Sequence, residues 1–534
     1  MRNVLEYLEK TACLKSGENT ILDAVEEISY KDFVQTSQGV GASLLSHYAK
    51  LCFSSSCYPL RKPVLVLMDK GINALSAFMG IVYAGCFYVL LNPDLPEERI
   101  KNILFISSPE FIITDEKYSG KAISAAGNIT ILKIEELRKH KISEDEKQRL
   151  IEVRNKMIDA DPLYANFTSG STGMPKGVLI SHRSVIDFID QYTKIFDIIP
   201  EDVIGNQAPL DFDVSVKDIY SAFKTGAKLV IIEKALFSKP MELLDYLCNN
   251  KITVMTWAVS ALCLITTFHG FDYRVPETVK KVLFSGEVMP LKHLQEWMKY
   301  LPETIFVNLY GPTEITCNCT YHVMERTRNY ENGIPIGKAF PNKRIFLLDK
   351  DNELIYPTDK RKIGEICVVG TALALGYYNS NQETEKVFIQ NPSNSMFKER
   401  IYCTGDLAFY DENQDLVFVG RKDFQIKYMG HRIELEEIER SMMEIDGIER
   451  SCCVFDEKKS RLIGFYVGKY ESKEFHKLLS VKLPAFMVPG ILRPLLKMPI
   501  TKNGKIDRKL LLSLAVDRKA YKKYLEEAST SMQE

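Results

Sequence analysis

Apolar runs of strand length alternate with amphipathic stretches up to about residue 325 of this 534-residue chain. The apolar runs are VLVLM, FIITD, ITILKI, KLVIIE, ITVMTW, KVLFSG and TIFVNLYG. Strands buried on both faces form continuous apolar runs, and their alternation with helices is typical of parallel sheets covered by helices. The pattern therefore predicts an α/β fold, with mostly parallel sheets, for this part of the chain.

The spacing changes after residue 325. Short, turn-rich strands (RIFLLDKDNELI, GEICVVG and LVFVG) predict a smaller β-rich subdomain there. A third unit is expected to begin near Arg421, with a helix over 434–445, strands at CCVFD and RLIGFYV, and another helix near 473–482. A charged tail follows from about residue 515 and is a candidate for disorder.

Residues 74–91 carry no charge over 18 positions and so imitate a membrane span. Gly80 and Gly85 interrupt the run, which divides into a buried helix over about 73–83 and a short strand over about 87–91. The N-terminal MRNVLEYLEK lacks the continuous apolar core of a signal peptide. We therefore expect no membrane association and a cytoplasmic protein.

Length and charge exclude several classes of function. A chain of this length is expected to form two to four structural units. Its 69 basic and 70 acidic residues nearly cancel, so no global field attracts nucleic acid or anionic lipid. The 12 cysteines include no CxxC pair, and Cys317 and Cys319 lack a matching His or Cys cluster. Reduced thiols are expected, with no disulfide framework and no zinc site.

The loop FTSGSTGMPKG at 167–177 predicts a phosphate-binding site. Its glycines allow backbone N–H groups to approach an anion, its Ser and Thr residues add hydroxyl donors, and Lys176 adds positive charge. The loop is not the common P-loop, because Pro175 precedes Lys176 and Gly177 follows it. A flexible surface linker is the alternative, but the flanks MIDADPLYANF and VLISH are apolar and strand-like.

Three further motifs have the character of a site. NLYGPTE (308–314) presents an aromatic ring beside an amide, which suits a stacked purine, and a carboxylate that suits Mg²⁺. In YCTGDL (402–407), Asp406 is placed to accept hydrogen bonds from two ribose hydroxyls, or to cap a turn or helix. In PITKNGKIDRK (499–509), Lys505 lies at the tip of an Asn-Gly turn, where a lysine is otherwise only solvated.

These motifs, in this order, resemble the ANL superfamily of ATP-dependent adenylating enzymes over about residues 20 to 512. Further matches are ISYKDF at 28–33, YAGCFYVLLNPDLP at 83–96, GEICVVG at 364–370 and LPAFMVP at 483–489. DFDVSVKDIY at 211–220 is similar to the amino-acid-activating branch, which comprises nonribosomal peptide synthetase adenylation domains and D-alanine:carrier-protein ligases. Asp213 matches the carboxylate that in this branch pairs with the substrate α-ammonium.

The resemblance implies a large N-terminal domain over 1–420, made of two α/β subdomains and a distorted β-barrel. It implies a small mobile α+β C-terminal domain over 424–515, a hinge near 421–423 with Asp423 at the hinge position, and the charged tail over 516–534. After rotation at the hinge, the segment from Lys427 to Gly430 is expected to face the active site.

It also implies two half-reactions that use ATP and Mg²⁺. A carboxylate first attacks the α-phosphate to give an aminoacyl-AMP and pyrophosphate, and the phosphopantetheine thiol of a carrier protein then displaces AMP. The residues after 512 contain no carrier module, so we expect a freestanding enzyme that loads a carrier in trans. No nucleic acid and no membrane partner is expected.

The resemblance also assigns residues. Lys505, Glu314 and Lys176 are the catalytic candidates, with Glu314 holding Mg²⁺; Asn308 and Tyr310 hold adenine, and Asp406 and Arg421 hold the ribose. The full ATP site is Thr168, Ser169, Gly170, Ser171, Thr172, Gly173, Lys176, Asn308, Tyr310, Gly311, Thr313, Asp406, Arg421 and Lys505. The amino-acid pocket is Asp213, Val214, Lys217, Thr256, Leu283, Ser285, Leu309, Cys317 and Asn318.

Substrate choice depends on Lys217. If this lysine points inward, its ammonium needs an anionic partner such as the side-chain carboxylate of aspartate or glutamate. If it points outward, a small polar pocket remains, suited to serine, alanine, threonine or cysteine. D-Alanine ranks third, because its ligases usually have a cysteine where this chain has Ser285.

Two rival classes of protein share the predicted fold. The first is an acyl- or aryl-CoA ligase, which would not need Asp213. The second is a catalytically dead scaffold, which is disfavoured because Lys176, Glu314, Asp406 and Lys505 are all intact.

Overall fold

A computed structural model describes residues 1–14, 20–51, 58–170, 174–330, 333–501 and 506–530. The chain forms two compact units. The first comprises residues 1–93, 104–167 and 177–422, and the second comprises residues 94–103, 168–176 and 423–534. Among the described helices, none is both long and apolar enough to cross a membrane.

The strands follow in chain order. They are β1 (Thr20–Leu22), β2 (Glu27–Ser29), β3 (Pro63–Leu67), β4 (Phe87–Leu91), β5 (Phe111–Thr114), β6 (Thr130–Lys133), β7 (Pro162–Thr168), β8 (Lys176–Ser181), β9 (Val203–Asn206), β10 (Lys228–Ile231), β11 (Val254–Ala258), β12 (Lys281–Ser285), β13 (Ile305–Tyr310), β14 (Thr320–Val323), β15 (Lys338–Ala339), β16 (Lys343–Leu348), β17 (Leu354–Ile355), β18 (Gly364–Gly370), β19 (Gly376–Tyr377), β20 (Phe388–Gln390), β21 (Arg400–Tyr410), β22 (Leu416–Arg421), β23 (Gln425–Tyr428), β24 (His431–Glu434), β25 (Ile448–Asp456), β26 (Arg461–Gly468) and β27 (Ile491–Pro494).

The α-helices are numbered in the same way. They are α1 (Leu5–Leu14), α2 (Tyr30–Leu51), α3 (Ile72–Tyr83), α4 (Glu97–Ser107), α5 (Ser119–Ala126), α6 (Ile134–Leu137), α7 (Glu144–Lys156), α8 (His182–Ile195), α9 (Val214–Thr225), α10 (Pro240–Asn249), α11 (Val259–Thr267), α12 (Gly270–Tyr273), α13 (Leu291–Tyr300), α14 (Asn381–Val387), α15 (Leu435–Met443), α16 (Ser472–Lys482), α17 (Arg508–Val516) and α18 (Arg518–Thr530). Short 3₁₀ helices lie at Lys234–Ser238, Thr313–Ile315 and Ala485–Met487.

The first unit is built on two mostly parallel sheets, as the apolar runs predict. One has nine strands in the order β15-β14-β13-β12-β11-β9-β10-β1-β2, and the other has seven in the order β19-β8-β7-β4-β3-β5-β6. Strands β9 to β13 of the larger sheet pair in parallel with their neighbours, and β14 and β15 add an antiparallel edge. The carboxyl ends of β11, β12 and β13 therefore meet at one edge of the sheet, where open α/β sheets bind their ligands.

The uncharged run at 74–91 lies in the core of the first unit. It forms most of α3 and then β4, both of them buried, which confirms the division into a helix and a strand. Gly85 connects them in a left-handed backbone conformation with φ of 77°. The apolar sequence is thus explained by helix and sheet packing inside the unit.

The β-rich region that the change in spacing predicts is a six-stranded antiparallel sheet. Its order is β17-β16-β18-β21-β20, and β22 pairs with β21. In the register of β21 with β22, Asp406 lies opposite Arg421. This pairing brings two predicted ribose contacts together.

The second unit contains the β23–β24 hairpin and a three-stranded sheet of β25, β26 and β27. The helix and two strands expected after residue 421 are present as α15, β25 and β26. The expectation of disorder in the tail is wrong over 518–530, where α18 forms. Ala520, Tyr521, Tyr524 and Leu525 recur at helical spacing and pack against an apolar cluster that includes Phe465.

Candidate functional site

The predicted amino-acid pocket surrounds the carboxyl ends of β11 to β13. Ser285 ends β12 and Leu309 is the penultimate residue of β13. Thr256 lies in the middle of β11 and pairs with Leu283 across the sheet. All four residues are buried. Because neighbouring parallel strands end together, the structure brings side chains from distant parts of the chain to one edge of the sheet.

Asp213 lies at the N-cap of α9 and is 9% exposed. Among the described residues, its side chain makes no capping hydrogen bond and its Oδ2 atom has no hydrogen-bond partner. Burial raises the pKa of the Asp213 carboxyl, while Lys217 and a hydrogen bond from Thr313 act in the opposite direction. Val214, the next pocket residue, is half-buried. A buried carboxylate with a free acceptor oxygen is suited to bind a small cation.

Lys217 lies one helical turn after Asp213 and is fully buried, with 0% exposure. Its Nζ donates hydrogen bonds to Asn318 Oδ1 at 2.8 Å and to Ser285 Oγ at 3.3 Å. Lys217 therefore points inward, toward other residues of the predicted pocket. Burial lowers the pKa of its ammonium, because both of these hydrogen-bond partners are neutral.

The segment that carries Cys317 and Asn318 packs closely on Gly311. A Cβ atom at Gly311 would lie 2.5 Å from Asn318 Cα and 2.8 Å from the Cys317 carbonyl oxygen, so a side chain at this position displaces backbone. Cys317 has a positive φ of 67°, and its thiol donates to the Asp213 carbonyl oxygen at 3.1 Å. This contact fixes the wall of the pocket next to the free carboxylate.

Tyr310 and Asp406, both buried, and half-buried Arg421 form one hydrogen-bonded group in the first unit. The Tyr310 hydroxyl donates to Asp406 Oδ2 at 2.5 Å, and Arg421 Nη1 donates to Asp406 Oδ1 at 2.6 Å. Arg421 Nη1 also donates to the Thr404 carbonyl oxygen at 3.1 Å. Asp406 is 1% exposed, and this pairing holds its carboxylate in one orientation. The structure thus brings the predicted adenine and ribose residues together.

The side-chain N–H group of Asn308, a predicted adenine contact, is already used within the protein. Its side-chain amide donates to the Pro335 carbonyl oxygen at 2.9 Å. The side-chain oxygen is the acceptor that remains for a ligand amino group.

Glu314 lies in the 3₁₀ helix Thr313–Ile315 and is 1% exposed. The Tyr377 hydroxyl donates to its Oε1 at 2.7 Å. Tyr377 is a residue that sequence reasoning missed; its only local signal is the GYYN motif next to a strand. Tyr377 also pairs with Val178 of β8. Tyr377 therefore contacts both this strand, through its backbone, and Glu314, through its hydroxyl.

The carboxylate of Glu314 fits a magnesium ion that is bound together with a nucleotide. Among the residues that the structure describes, no group of three or more His, Cys, Asp or Glu side chains is placed to hold a metal. Mg²⁺ on a nucleotide needs only one or two protein carboxylates, because phosphate oxygens and waters supply the other ligands. Glu314 would provide that carboxylate.

Residues 168–176 of the predicted phosphate loop belong to the second unit. Gly170 N–H donates to Glu437 Oε2 at 3.2 Å, and the Ser169 hydroxyl donates to the Arg432 carbonyl oxygen at 2.6 Å. Glu437 also pairs with Arg99. A Cβ atom at Gly170 would lie 2.1 Å from the Met174 carbonyl oxygen, so this turn requires glycine. The N–H group of Gly170 thus already binds an anion, the carboxylate of Glu437, which the sequence motifs did not indicate.

Thr168 and Lys176 border this loop, where the Thr168 hydroxyl donates to the Lys176 carbonyl oxygen at 3.5 Å. Ser171, Thr172, Gly173 and Lys505 lie outside the described residues. The boundary between the two units falls after Lys422, and the hinge role of Asp423 stays a prediction. Lys427 to Gly430 lie in and after β23, at the tip of the β23–β24 hairpin.

Comparison with known proteins gives consistent matches. Residues 7–378 match the family model described as AMP-binding enzyme. The chain is 32% identical over 465 residues to the zwittermicin A synthase ZmaJ of Bacillus cereus, covering 85% of each protein. It is 31% identical over 525 residues to the D-alanine–D-alanyl carrier protein ligase of Bacillus cereus, covering 96% of this chain and 99% of the relative.

A solved structure supports the fold. The adenylation domain AlmE of Vibrio cholerae, in complex with glycyl-adenosine-5'-phosphate, matches with a TM-score of 0.81. The match covers 96% of this chain and 98% of AlmE, at 22% identity. At this identity the likeness shows a shared fold.

Proposed function

This chain belongs to the AMP-binding enzymes of the ANL superfamily, which are adenylating ligases, and from that premise we propose that it activates an amino acid as its adenylate and then transfers the aminoacyl group to the phosphopantetheine thiol of a separate carrier protein. The proposed substrate is a small polar amino acid or an acidic one. The proposal rests on one observation above all: Asp213 is buried, and its Oδ2 atom has no hydrogen-bond partner in the described part of the chain.

The case for an amino acid is electrostatic. An α-ammonium bound at Asp213 Oδ2 supplies the missing hydrogen bond and neutralises a buried carboxylate. A fatty or aryl acid supplies neither, and its binding leaves the charge of Asp213 unpaired in a dry pocket. Asp213 therefore favours amino acids over the carboxylic acids that other adenylating enzymes of this fold activate.

In the first half-reaction, the substrate carboxylate attacks the α-phosphate of ATP. A carbon-bound oxygen forms the new bond to phosphorus, the bond to the bridging oxygen breaks, and pyrophosphate leaves with that electron pair. The Tyr310–Asp406–Arg421 group would hold the nucleoside, and Lys176 with Lys505 would balance phosphate charge. Mg²⁺, when bound at Glu314, would supply further charge neutralisation.

In the second half-reaction, the carrier thiol attacks the carbonyl carbon of the adenylate. The new C–S bond replaces the C–O bond to AMP, which leaves with the electrons, while the thiol proton passes to solvent or to the leaving group. The likeness to a D-alanyl carrier protein ligase along 96% of this chain supports a carrier protein as the acceptor. The same likeness keeps D-alanine as a third candidate substrate, after the small polar and the acidic amino acids.

The test is ATP–pyrophosphate exchange by the full chain with every proteinogenic amino acid of both hands, and with fatty and aryl acids. We expect exchange with an amino acid and none with the other acids. Exchange with an aryl or fatty acid, or with no amino acid, contradicts the proposal.

Lys505→Ala tests whether Lys505 acts in the first half-reaction but not in the second. We expect this variant to lose amino-acid-dependent exchange while it still forms a thioester from preformed adenylate. Arg518→Ala, in the charged helix α18, is the matched surface control. Equal loss of both half-reactions in Lys505→Ala contradicts this division of labour.

A further inference from the structure

The charge state of the pocket around Lys217 points to one class of substrate. The two hydrogen bonds of its Nζ go to neutral groups, the Asn318 amide oxygen and the Ser285 hydroxyl. No ion pair of Lys217 is found within the described part of the chain. An ammonium has three donors, so one N–H of Lys217 has no acceptor in the described structure. A fully buried cation in this state is expected to need an anion.

Two carboxylates lie nearby, but each has another role. Asp213, one turn earlier on α9, is the proposed partner of the substrate α-ammonium. Asp218 accepts a hydrogen bond from the Asn206 amide at 3.0 Å, and burial raises the pKa of Asp218 to about 7. At neutral pH, Asp218 therefore carries only part of a negative charge.

Binding of the substrate removes what compensation remains. In the empty pocket, the charge of Asp213 acts on Lys217 and partly balances it. An α-ammonium bound at Asp213 cancels that charge and adds a second cation close to Lys217. A neutral side chain leaves this imbalance in place, whereas an anionic side chain removes it.

We propose that Lys217 is the specificity-determining residue of the pocket and that it binds the side-chain carboxylate of an acidic amino acid. This inference rests on the proposed function and selects between its two substrate classes. Lys217 would bind the carboxylate through its open N–H, while Asn318 and Ser285 hold the ammonium in place. Leu283 and Leu309, both buried apolar residues, are suited to pack on the methylene part of the substrate side chain.

Matched pairs of acid and amide test the proposal, since aspartate and asparagine, like glutamate and glutamine, differ little in size. We expect the wild-type chain to catalyse ATP–pyrophosphate exchange with aspartate or glutamate, with kcat/KM about 100-fold or more above that for the matching amide. Serine, threonine, alanine and D-alanine are expected to be weaker substrates than the acid.

Lys217→Met keeps the length of the side chain and removes its charge. It is expected to lower kcat/KM for the acid by about 100-fold, mainly through KM, and to abolish the preference for acid over amide. Lys217→Gln is the second variant and should show the same loss of preference. Lys224→Met is the control on the same helix, because Lys224 pairs instead with Asp190 and Thr193. Thermal melting establishes that each variant is folded.

The outcomes are distinguishable. Exchange that is strongest with a neutral amino acid, or an unchanged acid preference in both Lys217 variants, overturns the assignment of Lys217 and leaves the proposed function intact. Exchange with no amino acid overturns the proposed function, and the assignment of Lys217 with it. Strong exchange with one acid that depends on Lys217 but not on Lys224 supports both.

Discussion

Replacement of Asp213 by asparagine tests the electrostatic basis of the proposed amino-acid site. The substitution keeps the shape of the side chain and removes the charge that would bind the α-ammonium. Two opposite charges 4 Å apart attract by about 4 kcal/mol at the effective dielectric constant of a partly dry site, which is about a thousandfold in affinity. Asp213 is 9% exposed and its Oδ2 has no partner within the described ranges, so a value near this size is expected.

The α-ammonium is present both in the bound substrate and in the transition state. Its loss of pairing should therefore raise KM for the amino acid by about 100- to 1,000-fold and change kcat much less. ATP–pyrophosphate exchange measures both constants. The α-hydroxy acid with the same side chain is the matched substrate: Asp213→Asn should lose most of the preference for the amino acid over this analogue.

The matched control is Asp218→Asn on the same helix. Asp218 is buried and bonded to Asn206, and burial raises the pKa of its carboxyl to about 7, so at neutral pH the amide replaces a group that carries only part of a negative charge. A second check uses pH. Burial raises the pKa of Asp213, so KM for the wild type should rise as the pH falls and Asp213 takes up a proton, while KM for Asp213→Asn should not follow. A folded Asp213→Asn protein with wild-type KM refutes the reasoning.

Three further results are expected. Tyr377→Phe removes the hydrogen bond to Glu314 and should lower exchange about tenfold, with a higher Mg²⁺ requirement; an unchanged Mg²⁺ titration contradicts the link. Gly311→Ala should lower both melting temperature and exchange, because its Cβ would lie 2.5 Å from Asn318 Cα. Gly120→Ala should do neither, because no atom of the described residues lies within 4 Å of its Cβ. Burial lowers the pKa of His182 to about 3, so the folded state binds a proton less readily than the unfolded state. The free energy of unfolding should therefore decrease as the pH falls below about 6.5. Urea unfolding should show a loss of about 2 kcal/mol from pH 7 to 5, and this loss should be absent in His182→Gln.

Much of the fold follows from local patterns in the sequence. The uncharged run at 74–91 is helix and strand in the structure, as its two glycines predict. The strand-like runs before residue 325 form the parallel sheets, because a strand buried on both faces must be apolar throughout. The tail shows what composition alone does not predict. Its charges suggested disorder, but four apolar residues at helical spacing pack α18 against an apolar cluster of the second unit.

The sequence by itself determined the family and the residues that could take part in chemistry, because each motif is a short stretch in which glycines, hydroxyls and charges are close along the chain. Only the tertiary structure decided which of these residues meet. Tyr310 and Asp406 are 96 residues apart and are joined by a hydrogen bond between two strands. The direction of Lys217 is the clearest case. Positions 215–223 of α9 are all buried, so periodicity marks no outward face, and only the acceptors Asn318 and Ser285 show that the ammonium points inward.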